Sequence, residues 1–137
     1  MLAAALITIA LTTPNVVPLQ TTPCQVTPLA VVVNLDDQKN DGTIAHARRA
    51  VESGKPRVLH IARSLFKAHR AASLRGIPLK HGFDRDEYPP AASSEGGAGA
   101  DVDYVESSDN RSAGSRMGKQ LTPYCDGQAF ILDEGTP

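Results

Sequence analysis

Tryptophan is absent from this 137-residue chain and aromatic residues make up only 4% of it, so Val, Ile, Leu and Ala must fill the core. A surplus of either charge is missing too. Fourteen Lys and Arg stand against 15 Asp and Glu, for a net charge of −1, which removes any whole-molecule argument for a polyanionic partner. Cysteine is scarce. Cys24 and Cys125 lie about a hundred positions apart, which excludes the clustered thiolates of a zinc knuckle. In an exported chain the two could close one long-loop disulfide, worth about 4 kcal/mol in the chain-entropy picture, but spacing alone leaves the pairing open. The apolar run Met1–Thr13 is too short to span a bilayer. No internal repeat is visible, no GxSxG elbow or HExxH helix occurs, and His46, His60, His69 and His81 form no i, i+4 pair.

What is present suits one domain with one modest core. Residues 1–13 resemble the hydrophobic part of a secretory signal, although no Lys or Arg precedes it. Residues 14–28, with four prolines, read as an extended linker, and 29–137 as the folded domain. The expectation is a secreted protein with no membrane contact in its mature form.

Periodicity within the domain alternates between strand and helix. Leu29–Asn34 reads as a buried β-branched strand, and Asp41 or Thr43 can cap a helix to about Ser53, with Gly54 as its stop. Arg57–Ile61 is a short strand and Ala62–Leu74 a helix, with Leu65, Ala68 and Ala72 opposite its basic residues. Gly82–Glu87 and Asp101–Glu106 are strands joined by a Gly-rich connection. Asp109 or Ser112 opens a helix to Leu121, and Gln128–Asp133 is a last strand. Such an order predicts an α+β class: a small mixed sheet with helices, containing a β-hairpin followed by a helix.

Charge is unevenly distributed. Between His46 and Arg85 the basic residues include Arg48, Arg49, Arg63, Lys67 and Arg70, against only Glu52 and Asp84, whereas the carboxylates cluster later. A cationic middle beside an anionic segment is what a polyanion track leading to a metal-binding pocket would look like. Solvated helix faces would give the same pattern.

The hairpin–helix unit from Gly82 to Leu121 carries the candidate chemistry. Phosphodiester hydrolysis needs a base for water, a cation for the phosphoryl oxygens and stabilisation of the leaving oxygen. Asp84-Arg85-Asp86-Glu87 offers three carboxylates and one guanidinium. On a strand, Asp84 and Asp86 share one face while Arg85 and Glu87 share the other. Two carboxylates on one face either bind a cation or push one pKa upward. The following helix adds Asn110 and Gln120 as amide-oxygen candidates and Arg111 as a phosphate grip. An all-oxygen donor set points to Mg²⁺ or Mn²⁺. His81, next to the acidic motif, could touch phosphate.

These residues lie in two long blocks, SLRGIPLKHGFDRDEYPPA (Ser73–Ala91) and EGGAGADVDYVESSDNRSAGS (Glu95–Ser115). Both resemble the signature blocks of the NucA/NucB family of bacterial secreted deoxyribonucleases. The resemblance covers about Leu29 to Glu134. It implies a minimal ββα-metal nuclease that hydrolyses DNA with little sequence preference, using one divalent metal. By position the base would be Asp86, the helix ligand would fall at or near Gln120, and Arg85 and Arg111 would grip phosphate. Arg116 and Lys119 depart from the family, which carries an aromatic and a neutral residue there, and Ser93 stands where some relatives have cysteine. Two other readings use the same residues: a secreted nucleic-acid-binding module without catalysis, and a nuclease toxin restrained by a proteinaceous inhibitor. Neither reading, nor the nuclease one, separates DNA from RNA as substrate.

Overall fold

The β-branched run after Leu29 forms strand β1 (Val31–Asn34), which pairs in parallel with β5 (Ala129–Asp133) at the other end of the domain. In this computed structural model, which describes residues 23–36 and 38–133, β5 is the centre of a three-stranded mixed sheet ordered β1-β5-β2. β2 is only Leu59–His60, shorter than the Arg57–Ile61 expected, because its antiparallel register with β5 covers just Phe130 and Ala129. The apolar segment at residues 1–13 lies outside the described residues.

Helix α1 (Asp41–Glu52) follows β1, and a 3-10 turn (Arg63–Leu65) leads into α2 (Phe66–Ser73). β3 (Phe83–Tyr88) and β4 (Asp101–Glu106) form a separate antiparallel hairpin, and α3 (Ser107–Leu121) starts directly at its end. The α+β class with a small mixed sheet therefore holds. Val33, Leu59, Ile61, Phe130 and Leu132 of the sheet region pack with Ala47 and Ala50 of α1, Tyr88 of β3 and Leu121 of α3. Of the hairpin's three rings, Tyr88 is the buried one, and it donates its hydroxyl to the Pro56 carbonyl at 3.0 Å.

Both long helices are capped otherwise than the sequence suggests. α3 starts before Asp109 because the Glu106 carboxylate accepts the amides of Ser108 and Asp109, at 3.0 and 3.1 Å. Asp109 is thereby freed to cap a different helix. Its buried carboxylate accepts from the amides of Gly42 (2.7 Å) and Thr43 (3.3 Å) and from the Thr43 hydroxyl (2.7 Å), so it closes the start of α1. The side chain of Asn40 donates to the Asp109 carbonyl at 3.0 Å. A side chain at Gly42 would meet Asp109 Oδ2 at 2.8 Å, so the close approach of the two helices requires glycine there.

The ends of the domain are fastened to each other. Cys24 and Cys125 form a disulfide that closes a separation of 101 residues. Beside it the Gln25 amide donates to the Pro123 carbonyl in the loop after α3, the Cys125 amide donates back to the Gln25 carbonyl, and buried Gln128 accepts from the Thr27 amide. The described part of the expected linker is thus stitched to the domain. Arg63 closes the same corner: its guanidinium donates to the carbonyls of Leu121 (2.7 Å) and Tyr124 (3.0 Å) and to Asp126 (3.0 Å).

Asp109→Ala strips three hydrogen bonds from the start of α1 and leaves buried donors unsatisfied. It should cost about 2 kcal/mol or more in urea denaturation, against a few tenths for Asp41→Ala. A loss below about 0.5 kcal/mol would show that the helix end is satisfied by water instead.

Candidate active site

The register of the hairpin sets Asp86 opposite Asp103, Asp84 opposite Val105, and Tyr88 opposite Asp101. Because side chains alternate across a strand, Asp84, Asp86, Asp101 and Asp103 all project from one face. Four carboxylates on so small a surface need cations. α1 and α3 supply them.

From α1 come His46 and Arg49, one helical turn apart. His46 is 1% exposed, and its Nδ1 lies 2.7 Å from Asp86 Oδ2. Its Nε2 lies 3.8 Å from Asp101 Oδ1, beyond hydrogen-bond distance, and has no partner among the described residues. Arg49 donates to Asp103 at 2.5 Å. From α3 comes Arg111, which grips both oxygens of Asp84 at 2.8 and 3.0 Å, and Ser107 adds a hydroxyl at 3.0 Å. Arg111 holds the Asp84 carboxyl below the ordinary range. The expected mutual repulsion of Asp84 and Asp86 is therefore met by a cation on each, and the shift at Asp84 runs downward.

The other face of β3 turns to α2. Glu87 is buried, accepts from Arg70 at 2.6 Å, and is hydrogen-bonded by the Ser73 hydroxyl. Arg85 donates to the Ile77 carbonyl at 2.7 Å. The alternation expected of Asp84-Arg85-Asp86-Glu87 is present, with each side chain claimed by a different neighbour.

A cavity of about 460 Å³ opens between the hairpin and α3, and its wall includes Asp84, Arg85, Asp86, Glu87, Asn110 and Arg111. With Arg70, seven of the residues singled out in the sequence thus meet at one place. The second oxygen of Asp86 and the amide of Asn110 make no hydrogen bond to the described residues. On the α3 side the wall continues through Ala113, Gly114 and Gly118, small residues that leave room for a ligand.

Other candidates are elsewhere. Gln120 spends its amide on β1, accepting from Asn34 N at 2.9 Å and donating to Asn34 O at 2.8 Å, and it is not on the cavity wall. It covers a sheet edge, a use that its position in a helix does not reveal. Arg49 and Arg63 are held by the ion pairs described above, and exposed His81 lies off the wall. Arg48 is half-buried on α1. Lys67 and Arg70 lie on α2, with Arg70 on the cavity wall.

His46 is the residue that sequence reasoning passed over. The signal was its i, i+3 spacing from Arg49, opposite carboxylates at alternate positions in two neighbouring strands. Burial disfavours its charged form, yet the hydrogen bond and charge of Asp86, with the charges of Asp101 and Asp103, outweigh this and set its pKa above 6.5. With a raised folded-state pKa, the imidazolium stabilises the fold fully below about pH 6.5 and loses that contribution as pH climbs through the folded value. His46→Gln should therefore lower the melting temperature more at about pH 6 than at about pH 9, as followed by differential scanning fluorimetry. A pH-independent difference would reduce His46 to a packing residue.

The family model for "Deoxyribonuclease NucA/NucB" matches residues 39–132, which contain α1, the hairpin, α3 and the whole cavity wall except Leu35. The chain is also similar to the "DNA-entry nuclease" of Bacillus subtilis (strain 168), at 45% identity over 90 residues. That stretch is 66% of this chain and 61% of the relative, so the chain spans about three-fifths of the relative's length. The matched span covers more than half of the sequence and holds every element that builds the cavity: the chain belongs to the deoxyribonuclease NucA/NucB family.

Proposed function

We propose that this chain is a secreted, metal-dependent endonuclease that hydrolyses DNA phosphodiester bonds with little sequence preference, using Asp86 as general base. The observation that carries the reading is that Asp86, hydrogen-bonded through only one carboxylate oxygen, lines a cavity shared with Arg85, Asn110 and Arg111 inside the family-matched span. His46 fixes that oxygen of Asp86, so the carboxylate is oriented before substrate arrives. Glu87 is a poorer base, because Arg70 and Ser73 already occupy both of its oxygens.

The donor chemistry of the wall fits a hard divalent cation. It offers carboxylate and amide oxygens and neither thiolate nor imidazole. Asn110, whose amide is uncommitted, is the residue that would hold such an ion, with water filling most of its shell, as suits Mg²⁺ or Mn²⁺. When bound, the ion neutralises phosphoryl oxygens and the leaving oxygen.

The protein's own steps follow from the geometry. Asp86 takes a proton from water, the water oxygen bonds to phosphorus, and the bond from phosphorus to the leaving oxygen breaks, with solvent returning a proton. Arg111 is largely exposed, so it can divide its guanidinium between Asp84 and a phosphate oxygen. Backbone contacts of this kind read no bases, which agrees with low sequence preference. The disulfide supports an oxidising, extracytoplasmic location, and among the described residues no helix is long and apolar enough to cross a membrane.

Plasmid nicking tests the reading. Asp86→Asn should lower turnover by roughly two to four orders of magnitude with DNA binding retained, and EDTA should abolish cleavage by the parent. Asn110→Ala should raise the Mg²⁺ or Mn²⁺ concentration needed for half activity. The same titration on Gln120→Ala decides whether that residue reaches the ion or serves Asn34 alone. Parental cleavage rates in folded Asp86→Asn would overturn the assignment. Retained DNA binding with no cleavage under any metal would favour the binding-module alternative.

A further inference from the structure

A second groove of about 400 Å³ runs along α2 beside the acidic cavity, lined by Phe66, Lys67, Arg70, Leu74, Arg75 and Arg85 among others. Phe66, Arg70 and Arg85 belong to both walls, so the two depressions adjoin. The groove carries four cations and no carboxylate, and the chain has no Asp or Glu from Ser53 to Phe83. Arg70 is balanced by Glu87, which faces the first cavity. Lys67 and Arg75 make no ion pair with any described residue. At the junction Phe66 is 44% exposed, in a chain with only three phenylalanines and no tryptophan.

We propose that this groove is a subsite for a single unpaired strand of the nucleic-acid substrate: Lys67, Arg75 and Arg85 bind successive phosphates, and a base stacks on Phe66 as the strand turns into the acidic cavity. Unpaired cations on a wall without carboxylates match a polyanion, and an exposed ring between them matches an unpaired base. A paired duplex keeps its bases inside its own stack and offers nothing to Phe66. The inference rests on the nuclease reading for the neighbouring cavity, but it concerns binding and not the bond-breaking residue.

Fluorescence anisotropy in EDTA, with the full parental chain and labelled oligo-dT or a duplex of equal length, separates the two questions because no strand is cut. Phe66→Ala should weaken oligo-dT binding roughly tenfold while duplex binding changes less than about twofold. Phe66→Leu, which keeps apolar volume and removes the π-face, should show the same selectivity. Lys67→Gln with Arg75→Gln should flatten the single-strand salt slope by roughly 1.4, at about 0.7 per phosphate contact, while Lys55→Gln, outside the groove, leaves it unchanged. Equal losses on both substrates would overturn the unpaired-strand subsite, as would an unchanged salt slope in the double variant. Loss of nicking in Asp86→Asn together with unaltered oligo-dT binding in the Phe66 variants would sink this inference and leave the nuclease reading standing.

Discussion

Four aspartates share one face of a two-stranded hairpin only a few residues long, and the arrangement of the domain follows from how that charge is met. Left alone these carboxylates would repel one another, most sharply Asp86 and Asp103, which are directly opposite. α1 answers with His46 and Arg49 on one helical face, and α3 answers with Arg111. For those cations to reach, both helices must lie against the same face. Asp109 fixes that, since a carboxylate from the first turn of α3 is also the cap of α1. Electrostatic balance and helix capping are thus solved by one packing arrangement. The cavity lies where the hairpin and α3 meet, with Thr43 and Ala47 of α1 also on its wall.

Much of this was legible in the sequence because local chemistry and global position agree. DVDYVE alternates so cleanly that its strand, Asp101–Glu106, has the expected bounds, and DRDE presents the alternation that a strand imposes. The long signature blocks located the cavity residues together. What stayed hidden was every interaction that joins distant segments. A carboxylate at a helix start reads as that helix's own cap, yet Asp109 serves α1 across 66 or 67 positions while Glu106 takes over at home. Arg63 reads as one more cation in a basic tract, but three acceptors around the end of α3 hold it. Gln120 reads as a ligand candidate, and its amide instead extends the hydrogen bonding of an edge strand. None of these partners can be found by spacing, because each depends on which surfaces meet.

The basic tract illustrates how a composition signal divides once the chain folds. Arg49 is held against Asp103 of the hairpin, and Arg63 is held within the α3 corner. Lys67 on α2 and Arg75 just beyond its end, which make no ion pair with a described residue, line the second groove beside the first cavity. Charge in the middle of the sequence thus serves two ends: part of it balances the carboxylates, and part stays available to an incoming polyanion.

The carboxylates around Asp86 differ in how far their oxygens are already committed to partners. Asp84 is held by Arg111 and Ser107, Asp103 by Arg49, and Glu87 by Arg70 and Ser73. Asp86, which lines the cavity, is alone among the DRDE carboxylates in being bound at one oxygen by a buried imidazole with no hydrogen bond from the described residues at the other. Burying His46 without a partner for Nε2 costs free energy. A fold under pressure for stability alone would fill that position with an apolar side chain. At that position the buried imidazole holds one oxygen of the Asp86 carboxylate at 2.7 Å and so fixes its orientation.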